Sequence, residues 1–313
     1  MAFFRVEPNN WGVQSPRHTA IVMGTYNRGH LLDQSLWHYV RYMSAGDCLV
    51  VIDDGSTDDT EDVVKWYAEG MKAEASGIHG LGVNCDIFYF RLEKEPGTWR
   101  DSAEFLNMGI SFALNALRCQ NVFITHPEII PGKDTLHQAK IMANMASDRR
   151  VWVSAKGYYL TMSQQAYLMD NWDELGANMD IMQVRNIPGF YTTDGAPIEG
   201  PAADYVHAAM DRHKIWQSWI WGGGNRMLWS YLGGVNESKF WGVVDVDLLN
   251  RRNALNILTA TPLDMSAMVV HQNHDDPNQN VVTPRDMDAV FSNMPKRPIE
   301  EYRAFLDPKR WTK

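Results

Sequence analysis

Short apolar runs alternate along the first half of the chain with stretches whose apolar residues recur every three or four positions. HTAIVMG (18–24), CLVVIDD (48–54), CDIFYFRL (85–92), NVFIT (121–125) and VWVSAKGYY (151–159) have the length and the β-branched or aromatic content of buried strands. Between them, HLLDQSLWHYVRYM (30–43), TEDVVKWYAEGMK (60–72), WRDSAEFLNMGISFALNALR (99–118) and LHQAKIMANMA (136–146) carry the helical period. Asp58 or Asp59 is placed to cap the second of these helices. Strand and helix in turn predict parallel β–α–β units, hence an α/β fold with a mostly parallel sheet flanked by helices. The pattern then loosens. Residues 160–215 mix short helices with polar loops, 216–252 form a Gly/Trp-rich block, and the charged tail holds one short helix, IEEYRAFL. No repeat, low-complexity tract or Pro/Ser linker divides the chain, so one continuous domain is expected over 1–313.

Composition narrows the partners. At 313 residues, 45% hydrophobic and 21% charged, the chain can bury a large core. A net charge of -9 and a pI near 5.5 argue against a general binder of nucleic acid or acidic membrane. Cys48, Cys85 and Cys119 are odd in number and widely spaced, which predicts free thiols in a reducing compartment and neither a zinc site nor a disulfide framework. The start, MAFFRVEPNNWG, lacks the charged and apolar regions of a signal peptide, and nowhere do about 18 apolar residues run together. A cytoplasmic location is the expectation.

In open α/β sheets ligands bind beyond the carboxyl ends of the strands. Those positions hold Thr25-Tyr26-Asn27-Arg28, Asp53-Asp54-Gly55-Ser56 and His126-Pro127-Glu128. Carboxylates at a strand end can accept hydrogen bonds from a base N–H or a ribose hydroxyl; the plainer alternative is an Asx-type turn followed by a helix cap. No GxGxxG follows the first strand and no GxxxxGK[ST] occurs, which leaves the common dinucleotide and P-loop classes without support.

Taken together, GTYNR after the first strand and VVIDDGSTDDT after the second resemble family-2-like glycosyltransferases of the GT-A fold, which read TYNR and VDDGSTDDT there. The resemblance implies a nucleotide-diphosphate sugar donor, a UDP-sugar first, with Thr25, Tyr26 and Asp54 near the base and Arg28 and Asp53 in the same two motifs. It also aligns RDSAEFLNMGI (100–110) with the family's ARNxGI helix: Asn107 and Gly109 match, while Leu106 stands in place of arginine. Arg100 is a candidate for the diphosphate by its charge. The frame of the family's metal-binding DADxxP falls on His126-Pro127-Glu128-Ile129-Ile130-Pro131, which keeps the proline but reads H-x-E. Carboxylate and imidazole both suit Mn2+, and imidazole suits Mg2+ poorly, so Glu128 with His126 is expected to favour Mn2+.

Further on, LGGVNESKFWGVVDVDLLNRR (232–252) looks like the NGFxxxxWGWGGEDDDLxxR segment of β-1,4-galactosyltransferases and chondroitin polymerases. Trp241 and Gly242 match, Val244 replaces a glutamate, Asp245 falls on the catalytic base and Asp247 on a later acidic position. An inverting transfer needs such a carboxylate to take the acceptor's hydroxyl proton; the alternative for Asp245 is a helix N-cap. WGGGN (221–225) resembles FGGVS, where a glycine, here Gly223, lets backbone approach the donor. Trp221 and Trp241 are candidates to stack on sugar rings, with core packing as their alternative. His274, with His271 in reserve, matches a metal-binding histidine that related families carry after this block, and polypeptide GalNAc-transferases use a histidine in their own DxD variant.

The expectation is therefore a GT-A domain with a nucleotide-binding half (18–150), an acceptor and catalytic half (151–280) and a tail (281–313). The acceptor hydroxyl could belong to a glycan, a lipid-linked sugar, a protein, a metabolite or a modified base. Two other classes compete. A sugar nucleotidyltransferase would need a GxGxR loop where GTYNR stands, and a non-catalytic nucleotide-sugar or glycan-binding protein would be consistent with the H-x-E change.

Overall fold

In the computed structural model, residues 3–6, 15–69, 85–95, 98, 100–145, 150–155, 157–160, 162–170, 221–237, 243–262, 267, 269–272 and 297–312 are described. The expected alternation holds through the first half, with two short strands, β1 and β6, that the pattern does not predict: β1 (Phe3–Arg5), β2 (Thr19–Thr25), α1 (Gly29–Tyr42), β3 (Cys48–Asp53), α2 (Thr60–Ala68), β4 (Asp86–Arg91), α3 (Ser102–Asn115), β5 (Asn121–Thr125), β6 (Ile129–Pro131), α4 (Thr135–Met145) and β7 (Val151–Ser154). Then come β8 (Gly157–Tyr159), α5 (Met162–Asp170), β9 (Trp221–Asn225), α6 (Arg226–Leu232), α7 (Val243–Ala254), β10 (Leu258–Ala260), β11 (Val269–His271) and α8 (Ile299–Ala304).

Eight strands form the main sheet in the order β1-β4-β3-β2-β5-β9-β7-β10. Every pairing is parallel except those of β9, which runs antiparallel to both β5 and β7. Every residue of β3 and β5 is buried, as expected of strands covered on both faces. Alternate residues feed two cores. Val22, Val50 and Ile52 pack with Phe88, Phe90 and Phe112 beneath α3. Ile21, Met23, Leu49 and Val51 pack with Leu32, Leu36 and Tyr39 of α1 and Val64 and Tyr67 of α2. Helix α3 begins where Asp101 accepts a hydrogen bond from the Ala103 amide at 3.0 Å, a standard N-cap.

Two expectations change. VWVSAKGYY is not one strand: β7 stays in the main sheet, while β8 joins β11 and β6 in a separate three-stranded sheet. WGGGN is a strand in the middle of the main sheet. Gly223 lies there between Phe123 and Val153, and a Cβ on it would sit 2.2 Å from the Val122 carbonyl oxygen. The glycine is required by strand packing inside the sheet, and that replaces donor approach as its explanation. Gly223→Ala is expected to destabilise the protein by about 3 kcal/mol, the upper end of an overpacking cost, because backbone cannot yield as a side chain can; urea unfolding measures it.

The three cysteines are buried and free. Among the described residues no helix is long and apolar enough to cross a membrane.

Candidate active site

The carboxyl ends of β2, β3 and β5 lie side by side, because β2 pairs with both of the others. The loops that leave them are laced together. Asn27, at φ 49, donates its amide to the Ser56 hydroxyl at 2.9 Å and accepts from the Thr57 amide at 2.7 Å. Asp58 accepts from the Gly29 amide at 2.9 Å through one oxygen and from the Thr60 hydroxyl at 2.5 Å through the other. It is thus a clasp between the two loops more than a cap for α2. Gly55, at φ 78, makes the turn after the paired aspartates; a Cβ there would meet Lys94 Cβ at 2.7 Å.

The two aspartates divide the work. Asp53 is fully buried, accepting from the Ser56 amide at 2.8 Å and the Tyr89 hydroxyl at 2.5 Å. One oxygen is committed to the turn and the other to Tyr89 of β4, so the expected donor contact is withdrawn for Asp53. Asp54 faces the loops. Lys94 Nζ lies 2.6 Å from one oxygen and Arg100 Nη1 2.7 Å from the other, with the Asp54 amide donating to Thr25 O at 2.9 Å. The Lys94 ammonium also sits 3.6 Å from the centroid of the Tyr26 ring, within cation–π range. The Thr25 hydroxyl is buried and has no hydrogen-bond partner among the described residues. Burial raises the Asp54 carboxyl above its ordinary range, although Lys94 and Arg100 pull the other way. A carboxyl perturbed by both burial and specific charge partners, at the carboxyl ends of the strands, is a functional-site candidate.

Lys94 was not singled out from sequence. The signal was available: it is a cation in the loop after the third strand of the alternation, on the side where ligands bind.

The second half of the site forms at the H-x-E turn. The small sheet pairs His271 with Ile129, and the Gln272 amide donates to Glu128 O at 2.9 Å. This carries His271 across the chain to Glu128. His126 Nδ1 lies 3.5 Å and His271 Nε2 3.8 Å from Glu128 Oε1, while Arg28 Nη1 lies 2.9 Å from Glu128 Oε2. Glu128, His126, His271 and Arg28 are thus brought together; His274 lies outside the described residues. In donor type, a carboxylate and two imidazoles suit Mn2+. In geometry they do not fit: among the described residues no group of three His, Cys, Asp or Glu side chains could hold a metal ion, and a guanidinium holds the second carboxylate oxygen.

The second half of the chain is anchored to the same frame. Asn107 of α3 donates to Val235 O at 2.9 Å and to Glu237 Oε1 at 2.8 Å, and accepts from the Val235 amide at 2.7 Å. Arg310 and Arg297 of the tail reach the same Glu237. This fixes the segment that leads to α7. Asp245 is the third residue of α7, inside its first turn and not the N-cap; its side chain and Trp241 lie outside the described residues. Asp247 is buried, accepting from Tyr302 Oη at 2.7 Å and Arg251 Nε at 2.8 Å. Trp221 is fully buried, stacked on Phe123 with centroids 4.9 Å apart and donating to Tyr39 Oη at 3.1 Å. It is a core residue and cannot stack on a sugar.

Residues 20–97 match the family described as Glycosyl transferase family 2. That stretch holds Tyr26, Arg28, Asp54 and Lys94 and ends before Arg100 and Glu128. No curated protein sequence matches the chain. Among solved structures, the mannosyltransferase PcManGT from Pyrobaculum calidifontis, in complex with GDP-Man and Mn2+, is 18% identical with a TM-score of 0.50, over 97% of this chain and 72% of its own. S. aureus TarS 1-349 in complex with UDP-GlcNAc is 13% identical with a TM-score of 0.49, over 92% and 70%. Another structure of S. aureus TarS 1-349 aligns over 45% of this chain and 36% of its own, at 18% identity and a TM-score of 0.33, so this chain spans about a third of it. The fold is of the GT-A type; the family matched over residues 20–97 is one of glycosyl transferases, and PcManGT is a mannosyltransferase.

Proposed function

We propose that this chain transfers a sugar from a nucleotide-diphosphate donor to a hydroxyl acceptor, with inversion at the sugar. The observation that supports it most is the set of three cations at the carboxyl ends of the strands. Arg28, Lys94 and Arg100 each pair there with a carboxylate, Glu128 or Asp54. A diphosphate needs such a cradle, because the leaving group carries the negative charge that develops as the glycosidic bond breaks.

The nucleoside lies against Thr25, Tyr26 and Asp54, at the adjoining carboxyl ends of β2 and β3. Arg100 and Lys94 turn toward the diphosphate. Asp245 takes the proton of the acceptor hydroxyl as its oxygen attacks the anomeric carbon from the face opposite the leaving group. Trp241 offers a ring for the acceptor or donor sugar. The transfer is drawn without a divalent cation: Glu128, His126 and His271 form no metal-holding group among the described residues, and His274 lies outside them. The acceptor is a hydroxyl of a glycan, lipid-linked sugar, protein, metabolite or modified base.

A panel of UDP-, GDP- and other nucleotide-diphosphate sugars, each with and without Mn2+, tests this. Release of nucleoside diphosphate from at least one donor is expected, with a UDP-sugar the first to try. No turnover with any donor, together with no thermal shift from any nucleotide, overturns the assignment. A shift without turnover favours a nucleotide-sugar-binding protein.

A further inference from the structure

The place where a divalent cation is expected already has a positive charge against it. Arg28 Nη1 lies 2.9 Å from Glu128 Oε2, in a pair whose side chains are 16% and 7% exposed. Both ends of the pair stand on fixed backbone. Arg28 is the N-cap residue of α1, its carbonyl accepting from the Leu31 and Leu32 amides at 3.1 and 2.9 Å. Glu128 is tied to Gln272 through the small sheet, and the Ile129 amide closes the turn onto His126 O at 3.1 Å. A guanidinium cannot be deprotonated and is a weakly hydrated cation suited to partly buried ion pairs and to phosphate. A metal ion on Glu128 would share a carboxylate with it at close range and in low dielectric, where like charges repel strongly. The two imidazoles approach the other oxygen at 3.5 and 3.8 Å without gathering into a three-ligand group.

Building on the transferase assignment above, we propose that Arg28 is the resident cation of the diphosphate corner. Its guanidinium holds Glu128 in the empty enzyme and meets the donor's diphosphate, alongside Lys94 and Arg100, when donor binds. A nucleoside diphosphate therefore binds without a divalent ion, and Mn2+ competes with Arg28 for Glu128. Arg28 is a phosphate-binding residue here, and the H-x-E turn serves to present its counter-ion.

Two titrations test it. Calorimetry of the wild-type protein with UDP and GDP, in EDTA and in Mn2+, is expected to give affinities within about threefold of each other. Mn2+ binding without nucleotide, followed by electron paramagnetic resonance, is expected to be at least about tenfold tighter in Arg28→Gln than in wild type, with UDP or GDP affinity in EDTA weakened by about tenfold or more. Arg28→Lys, which keeps the charge but loses the fork, is expected to resemble wild type toward Mn2+. Nucleotide binding that needs Mn2+, or Mn2+ affinity unchanged in Arg28→Gln, overturns the proposal. If Arg28→Gln does not fold, the wild-type comparison in EDTA decides alone. If neither nucleotide binds under any condition, the transferase assignment fails, while the Mn2+ titration of Arg28→Gln still decides the competition for Glu128.

Discussion

Asp54→Asn is expected to melt at the same temperature as wild type at pH 7, or higher, while losing roughly 10- to 150-fold in nucleotide affinity, the worth of one charge-assisted hydrogen bond. The two effects separate because the site is held against the fold's own preference. Asp54 is buried, and burial outweighs the pull of Lys94 and Arg100, so its carboxyl titrates above its ordinary 3.8. A carboxyl with a raised folded pKa binds more protons in the native than in the unfolded state. Its contribution to stability therefore falls as pH rises from 3.8 through the raised value, and the ionised form is the less favourable one for the fold. Asparagine removes that cost and keeps an oxygen for Lys94 or Arg100. Melts of both proteins from pH 4 to pH 8, with calorimetric titration of UDP and GDP, check it. The advantage of the asparagine form should be small at the acid end and grow with pH. A variant that unfolds at neutral pH, or binds nucleotide as wild type does, contradicts the assignment of Asp54.

Which aspartate turned inward could not be read from the motif. Asp53 and Asp54 are adjacent, and a strand alternates its faces, so one step of register decides which is spent on Ser56 and Tyr89 and which meets Lys94 and Arg100. Tyr89, the partner that claims Asp53, lies on the neighbouring strand and is visible only once β3 and β4 are paired. The first half of the fold was legible for the opposite reason. Its strands are long apolar runs and its helices long amphipathic ones, so local pattern and tertiary burial agree. The second half was less so. Gly222, Gly223 and Gly224 have no side chains to show a period, yet they form a central strand because only glycine fits between β5 and β7. Strands β6, β8 and β11 have three residues each, too few for alternation to register. Sequence spacing favoured His274 over His271, but the register of β11 against β6 is what carries His271 to Glu128.

Asp245 and Asp247 stand two residues apart on α7 and should fail in different ways. Asp247→Ala is expected to lose about 3–5 kcal/mol of stability, the cost of breaking one side of a buried pair. The reason is its partners. Tyr302 and Arg251 both donate to it, and Arg251 also holds Leu232 O and Gly234 O, the 2.7 Å bond to Gly234 being one of these. Without the carboxylate, a largely buried guanidinium and a phenol lose their acceptor, and the contact between the tail and the segment leading into α7 opens. Burial, its hydrogen bond to Asp247 and the charge of that carboxylate together raise the Tyr302 phenol above its ordinary range. Asp245→Asn should leave urea unfolding unchanged and lower the rate of sugar transfer by roughly 10²- to 10⁴-fold, the range for removing a general base. Donor affinity should stay as in wild type, because a proton acceptor on the far face of the sugar does not hold the nucleotide. Transfer by Asp245→Asn at near wild-type rate would move the base elsewhere. Unfolding of Asp247→Ala at wild-type urea concentration would show instead that Arg251 and Tyr302 find water or another acceptor, and that the tail is not braced through this carboxylate.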